Sequence, residues 1–122
     1  MVRFDKTFFG AVVVDGKTHM DVLVVRDKIV DRETLVKGWF EEHKHSHHTV
    51  YEHELRRLLE EKPEVIIIGN GQSSVLKVPQ SVVKEIRQRN IELIVLETPK
   101  AIEEYNELSK IKRVNALIHT TC

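Results

Sequence analysis

The apolar positions of this chain recur with two periods, and the switches between them mark its elements. Residues 8–14 (Phe-Phe-Gly-Ala-Val-Val-Val) are rich in aromatic and β-branched side chains and predict a strand. Asp15-Gly16 follows as a hairpin turn signal, and residues 20–26 predict the second strand. There Val22 and Val24 share one face and Leu23 and Val25 the other, the pattern of a strand covered on both sides. Residues 27–48 scatter Val30, Leu35, Val36, Trp39 and Phe40 through charged sequence and predict an irregular excursion. Thr49, with Glu52 three residues on, reads as a capping box. The helix it opens has Tyr51, Leu55, Leu58 and Leu59 as its apolar stripe and stops at Pro63.

From there strand and helix periods alternate. Val65 to Ile68 predicts a strand, and Gly69-Asn70-Gly71 a turn. A helix opened by Pro79 repeats Val82, Val83 and Ile86 on one face, and residues 91–96 form the next strand. Thr98 stands as an N-cap with Pro99 at the first helical position, and that helix buries Ala101, Ile102, Tyr105 and Leu108. Residues 114–119 complete a βαβαβ unit. The predicted class is α/β: one domain over residues 1–122, an N-terminal β-hairpin plus βαβαβ around a parallel or mixed sheet.

Composition narrows the function more than the fold. The chain is 41% hydrophobic and 31% charged, the profile of a folded domain. Its 19 acidic and 19 basic residues cancel, so no global field draws it to nucleic acid or an anionic membrane. Cys122 is the only cysteine and cannot form an internal disulfide. Arg3, Asp5 and Lys6 interrupt any signal-peptide run, and no stretch approaches the roughly 20 apolar residues of a membrane span. The expected location is the cytoplasm, with no cofactor implied.

Four groups of residues could carry chemistry. Gly69, Asn70 and Gly71 follow a strand, where backbone N–H groups can meet an anion. They lack the third glycine of a dinucleotide fingerprint and the Gly-Lys-Ser/Thr of a phosphate loop, and glycines also serve a sharp turn. His43, His45, His47 and His48, with His53 nearby, offer imidazoles suited to Zn, Ni or Cu, yet no cysteine or aspartate lies among them, and the alternative is a solvated loop. His119 and Cys122 would point to opposite faces of a continued strand, so a Cys-His pair requires a turn between them. Otherwise Cys122 is a small apolar plug where the strand docks. Thr98, Tyr105 and Asn106 share the last helix. Tyr105 fits its apolar stripe, and Asn106, a poor interior helix former, suggests an amide tying a nearby loop.

Several of these residues also carry a resemblance. Phe9-Gly10, Arg32, the histidine stretch ending near His48, Ile66-Ile67-Ile68-Gly69-Asn70-Gly71, Thr98 with Ala101 and Tyr105-Asn106, and His119-Thr120-Thr121-Cys122 follow in order along the chain. In this it resembles the Mth-domain family over essentially its full length. That family includes small archaeal and bacterial proteins, an adipogenesis-associated protein and an assembly factor of mitochondrial NADH dehydrogenase. The resemblance implies a single three-layer α/β domain around a central mixed sheet. Such proteins more usually carry a small hydroxyl residue between the two glycines, so Asn70 removes any role for a hydroxyl there.

Two classes of function follow. The first is a non-catalytic binding or assembly-type module for a protein partner or a small ligand, with Trp39 and Phe40 as anchors. The second is a small enzyme, hydrolase-like or thiol-dependent, with the glycine turn as anion site and His119 as base. No complete catalytic set stands in the sequence. The ligand-binding candidates are Gly69, Asn70, Gly71, Thr98, Tyr105, Asn106 and His119. The enzyme reading requires the last strand to end beside Gly69–Gly71, at the same edge of the sheet. An exposed hairpin edge admits a homo-oligomer.

Overall fold

The computed structural model describes residues 2–34 and 48–122. Trp39, Phe40, His43, His45 and His47 lie outside the described residues, and with them the proposed anchors and most of the histidine run.

The strand expected over residues 8–14 is two strands. β1 (Phe4–Phe8) and β2 (Ala11–Val14) pair antiparallel through a turn at Phe9-Gly10, where Gly10 has φ +85°. A turn inside an apolar run leaves no mark on hydrophobic periodicity, which is why the pattern read as one element. Asp15-Gly16 does turn the chain. Both residues have positive φ, and they join Val14 to Lys17 as a two-residue hairpin. Its partner is the short, polar β3 (Lys17–His19) and not the apolar run after it.

That apolar run is β4 (Val22–Val25), which belongs to a second sheet with β5 (Lys28–Asp31). A 3₁₀ turn covers Arg32–Thr34. The remaining elements are α1 (Glu52–Leu58), β6 (Val65–Asn70), α2 (Gln80–Gln88), β7 (Glu92–Leu96), α3 (Thr98–Leu108) and β8 (Val114–His119). The larger sheet has the order β5-β4-β8-β6-β7. β6 runs parallel to β7 and β8, while β4 runs antiparallel to β8 and β5, so the sheet is mixed. Asn70 lies opposite His119, which brings the glycine turn and the end of the last strand to one edge.

Side-chain alternation sorts the core into two layers. Val22, Val24, Val65, Ile67, Val114, Ala116 and Ile118 face one way, against Ala101, Ile102 and Tyr105 of α3 and Phe4, Val12 and Val14 of the small sheet. Leu23, Ile66, Ile68 and Leu117 face the other, against Leu55 and Leu58 of α1 and Val82 and Ile86 of α2. The result is three layers about a mixed sheet, as the resemblance implied. Among the described residues no helix is long and apolar enough to cross a membrane.

Two helix starts differ from their sequence signals. α1 is not boxed by Thr49 and Glu52. Its N-cap is Tyr51, whose N–H donates to Glu54 Oε1 at 3.0 Å, while the Thr49 carbonyl accepts from Arg32. α3 has Glu97 as its N-cap, and Thr98 is already helical. Both hydroxyl residues carried the local look of a cap, but tertiary partners outside the helix claim them.

Candidate functional site

The parity that sorts the core also aims three polar residues at α1. Asp21 shares a face with Leu23, Arg32 with Val30, and His119 with Leu117. Val22 pairs with both Asp31 and Ile118, so Asp21, Arg32 and His119 stand side by side, one residue beyond those two pairs. The Arg32 N–H donates to the Asp21 carbonyl at 2.9 Å, continuing the ladder. Glu54 completes the group from α1.

These four residues form one buried chain of charge-assisted hydrogen bonds. Arg32 meets the Glu54 carboxylate through both Nε and Nη2, the second at 3.1 Å. Its Nη1 donates to Asp21 Oδ2 at 3.0 Å, and Nη2 also reaches the Thr49 carbonyl at 2.6 Å. Bidentate geometry of this kind suits a planar guanidinium. Asp21 Oδ2 lies 2.7 Å from His119 Nδ1, and Asp21 Oδ1 accepts from both the N–H and the hydroxyl of Thr120, each at 2.7 Å. A carboxylate offers only acceptors here, so Nδ1 carries the hydrogen. The other ring nitrogen, Nε2, lies 3.2 Å from Thr121 Oγ1. His48 approaches the His119 ring edge-on, with centroids 5.3 Å apart.

Burial alone would raise the Asp21 pKa, but the hydrogen bond and charge of His119 and the two bonds from Thr120 outweigh it. The carboxyl is held at about 2, against 3.8 for a free aspartate. Burial would lower the Arg32 pKa, and Glu54 and Asp21 reverse this and raise it. Because the folded pKa of Asp21 lies below its unfolded value, its contribution is complete above about pH 4 and is lost as pH falls through 2. The shift corresponds to about 2 kcal/mol. Urea unfolding between pH 5 and 2 is expected to show this loss in the wild type. Asp21→Asn is expected to flatten that part of the profile, and parallel profiles would contradict the assignment.

The glycine turn is bonded to the last residues of the chain. Gly71 N–H donates to Thr98 Oγ1 at 3.0 Å, and that hydroxyl donates to the His119 carbonyl at 2.6 Å. Gln72 N–H reaches the Thr121 carbonyl at 2.7 Å, and the N–H groups of Ser73 and Val75 reach the Cys122 carbonyl at 3.1 and 2.9 Å. The Gly71 N–H that could have met an anion is therefore taken by Thr98, and the N–H groups that follow it face residues 121 and 122. Of the seven ligand-site candidates, Gly69, Asn70, Gly71, Thr98 and His119 come together. Tyr105 and Asn106 do not. Tyr105 packs edge-on against Phe4, with burial raising its pKa to about 12, and Asn106 exchanges two hydrogen bonds with the Phe4 backbone. The tie expected of Asn106 is thus to β1. The His119 ring engages Asp21 and Thr121, and Cys122 is partly exposed.

Sequence reasoning missed Asp21 and Glu54. A charged residue beside an apolar stripe reads as solvent-facing unless its partner is known, and these partners lie 11 and 22 residues away. The available signal was Arg32, two residues beyond Val30 on the buried face of a strand.

An open cleft of about 280 Å³ is lined by Met20, Asp21, Glu33, His48, His119, Thr120 and Thr121. Met20, which lines it, is 61% exposed, and at the β1–β2 turn Phe8 and Phe9 are exposed at 51% and 67%. Gly10 N–H donates to the Thr120 carbonyl at 2.8 Å, and Gln72 Nε2 reaches the carbonyls of Phe8 and Thr120, each at 3.2 Å. The aromatic turn is thereby fixed to the segment that Asp21 holds.

A family model described as "Protein of unknown function (DUF498/DUF598)" matches residues 4–119. The solved structure of MT938 is 35% identical over the whole of both chains, with a TM-score of 0.76. The conserved hypothetical protein PH1505 from Pyrococcus horikoshii OT3 is 28% identical, with a TM-score of 0.82 over 98% of this chain and 99% of that one. A Mth938-like domain from Bordetella pertussis shares the fold at 16% identity, with a TM-score of 0.55 over 94% of this chain and 85% of that one.

Proposed function

Because the chain belongs to the DUF498/DUF598 family, the Mth-domain proteins, we propose its role from the geometry: an assembly-type binding module that docks a partner protein. The docking surface is the edge of the molecule formed by Phe8, Phe9 and Met20 around residues 119–121. The observation that carries this reading is the exposure of two adjacent phenylalanines and a methionine at one edge. Aromatic residues and methionine are the types enriched in interface cores, and exposed apolar groups gathered together mark interaction sites. The ionic network beneath fixes the patch without contributing a charged surface, since Arg32, Glu54 and His119 are buried. A pre-organised surface loses little conformational entropy on docking.

Capture from native cells with the wild type and with Phe9→Asp tests this reading. A partner protein recovered in stoichiometric amount is expected to fall by about 30-fold with Phe9→Asp, the effect of one interface hot spot. Thermal stability is expected to stay nearly unchanged, because the side chain is largely exposed. Equal recovery by both proteins, or a retained small molecule with no protein, would count against the reading.

The small-enzyme reading keeps one observation in its favour. The last strand is parallel to β6, and His119 at its end presents Nε2 to the hydroxyl of Thr121 beside an open cleft.

A further inference from the structure

We propose that Thr121 is an acyl-accepting nucleophile, with His119 as its base and Asp21 as the group that orients the imidazole. The inference rests on the small-enzyme reading and names its nucleophile and substrate class, carboxylic esters.

Three observations support it. First, the hydrogen-bond order is that of a nucleophile–base–acid relay. Asp21 fixes the hydrogen on Nδ1 at 2.7 Å, leaving the lone pair of Nε2 facing Thr121 Oγ1 at 3.2 Å. Second, the acid cannot turn away. Its two oxygens are held by Arg32 on one side and by the N–H and hydroxyl of Thr120 on the other, and Arg32 is held in turn by Glu54. Asp21 stays ionised well below the ordinary carboxylate range, so it remains an acceptor for the Nδ1 hydrogen. Third, His119 and Thr121 both line the cleft of about 280 Å³, and Thr121 is partly exposed while the imidazole is buried. An ester carbonyl entering the cleft can therefore reach the hydroxyl.

The step balances with an ester and water. Thr121 Oγ forms a bond to the carbonyl carbon as its proton passes to His119 Nε2. The bond from that carbon to the leaving alcohol oxygen breaks, and the alcohol takes the proton from Nε2. Water then attacks the threonyl ester with the same base, releasing the carboxylic acid and restoring Thr121.

The test uses p-nitrophenyl acetate on the full chain in a Cys122→Ser background, which removes the thiol as a competing acceptor. The expected result is release of nitrophenolate with an acetyl group on Thr121 in the peptide of residues 114–122. Thr121→Val is expected to lower the rate by about 100-fold, the lower range for assisted proton transfer, and Thr121→Ser to keep it. His119→Asn is expected to match the loss, and Thr121→Val supplies the decision if that variant does not fold. His119-dependent hydrolysis that survives Thr121→Val overturns the nucleophile but leaves the enzyme reading standing. Turnover indifferent to both residues, or acetyl groups only on lysines, overturns both.

Discussion

Replacing Arg32 with methionine is expected to cost about 3–5 kcal/mol of folding stability, read from urea midpoints at neutral pH. The guanidinium is fully buried and is shared by Asp21 and Glu54. Its removal leaves two buried carboxylates without the guanidinium they share, and the penalty is their desolvation more than the loss of attraction. The double variant Arg32→Met/Glu54→Met is therefore expected to be more stable than Arg32→Met alone, since it also removes one stranded charge. A single-variant cost below about 1 kcal/mol, the level of an exposed pair, would mean that the network is solvated in solution. The value of such a network is positional. It fixes the ends of β4, β5 and β8 and the first turn of α1 relative to one another, and so fixes the edge that carries Phe8, Phe9 and Met20.

The second large effect is expected at Gly71. Its φ is +106°, and a Cβ there would lie 2.3 Å from the Cys122 carbonyl carbon and 3.0 Å from the His119 ring. The nearest neighbour is backbone, so relief requires moving the last residues and breaking their bonds to Gln72, Ser73 and Val75. Gly71→Ala is expected to cost about 2–4 kcal/mol, combining backbone strain with overpacking. It is also expected to raise amide exchange at residues 72–76 before the rest of the domain, as a local opening would. Uniform loss of protection across β6 and β8 would show instead that the tail and the core open as one unit.

The alternation of residues 65–119 made the βαβαβ half legible, because each strand is apolar on both faces and each helix on one. The N-terminal half was less so. Gly10 turns the chain inside an apolar run, and β3 is polar because it lies at the edge of its sheet, so neither announces itself by periodicity. At the site, His119, Thr98 and Gly71 stood out by type and position, and the parallel pairing of β6 and β8 joined them. Thr98 looked like a cap because a threonine before proline usually is one; its real partners, Gly71 and the His119 carbonyl, are reached only across the sheet. Asp21 and Glu54 were hidden for a related reason. Their burial depends on Arg32, and no local pattern encodes a charge neutralised by a distant residue.

The most direct test of the central claim is amide exchange on the chain with its captured partner bound, compared with the chain alone. Added protection is expected at residues 7–10, at Met20 and at residues 119–122, with α2 and β7 unchanged. Protection confined to α2 and β7, with residues 7–10 exchanging as in the free chain, would place the docking surface elsewhere and overturn the role proposed for Phe8, Phe9 and Met20.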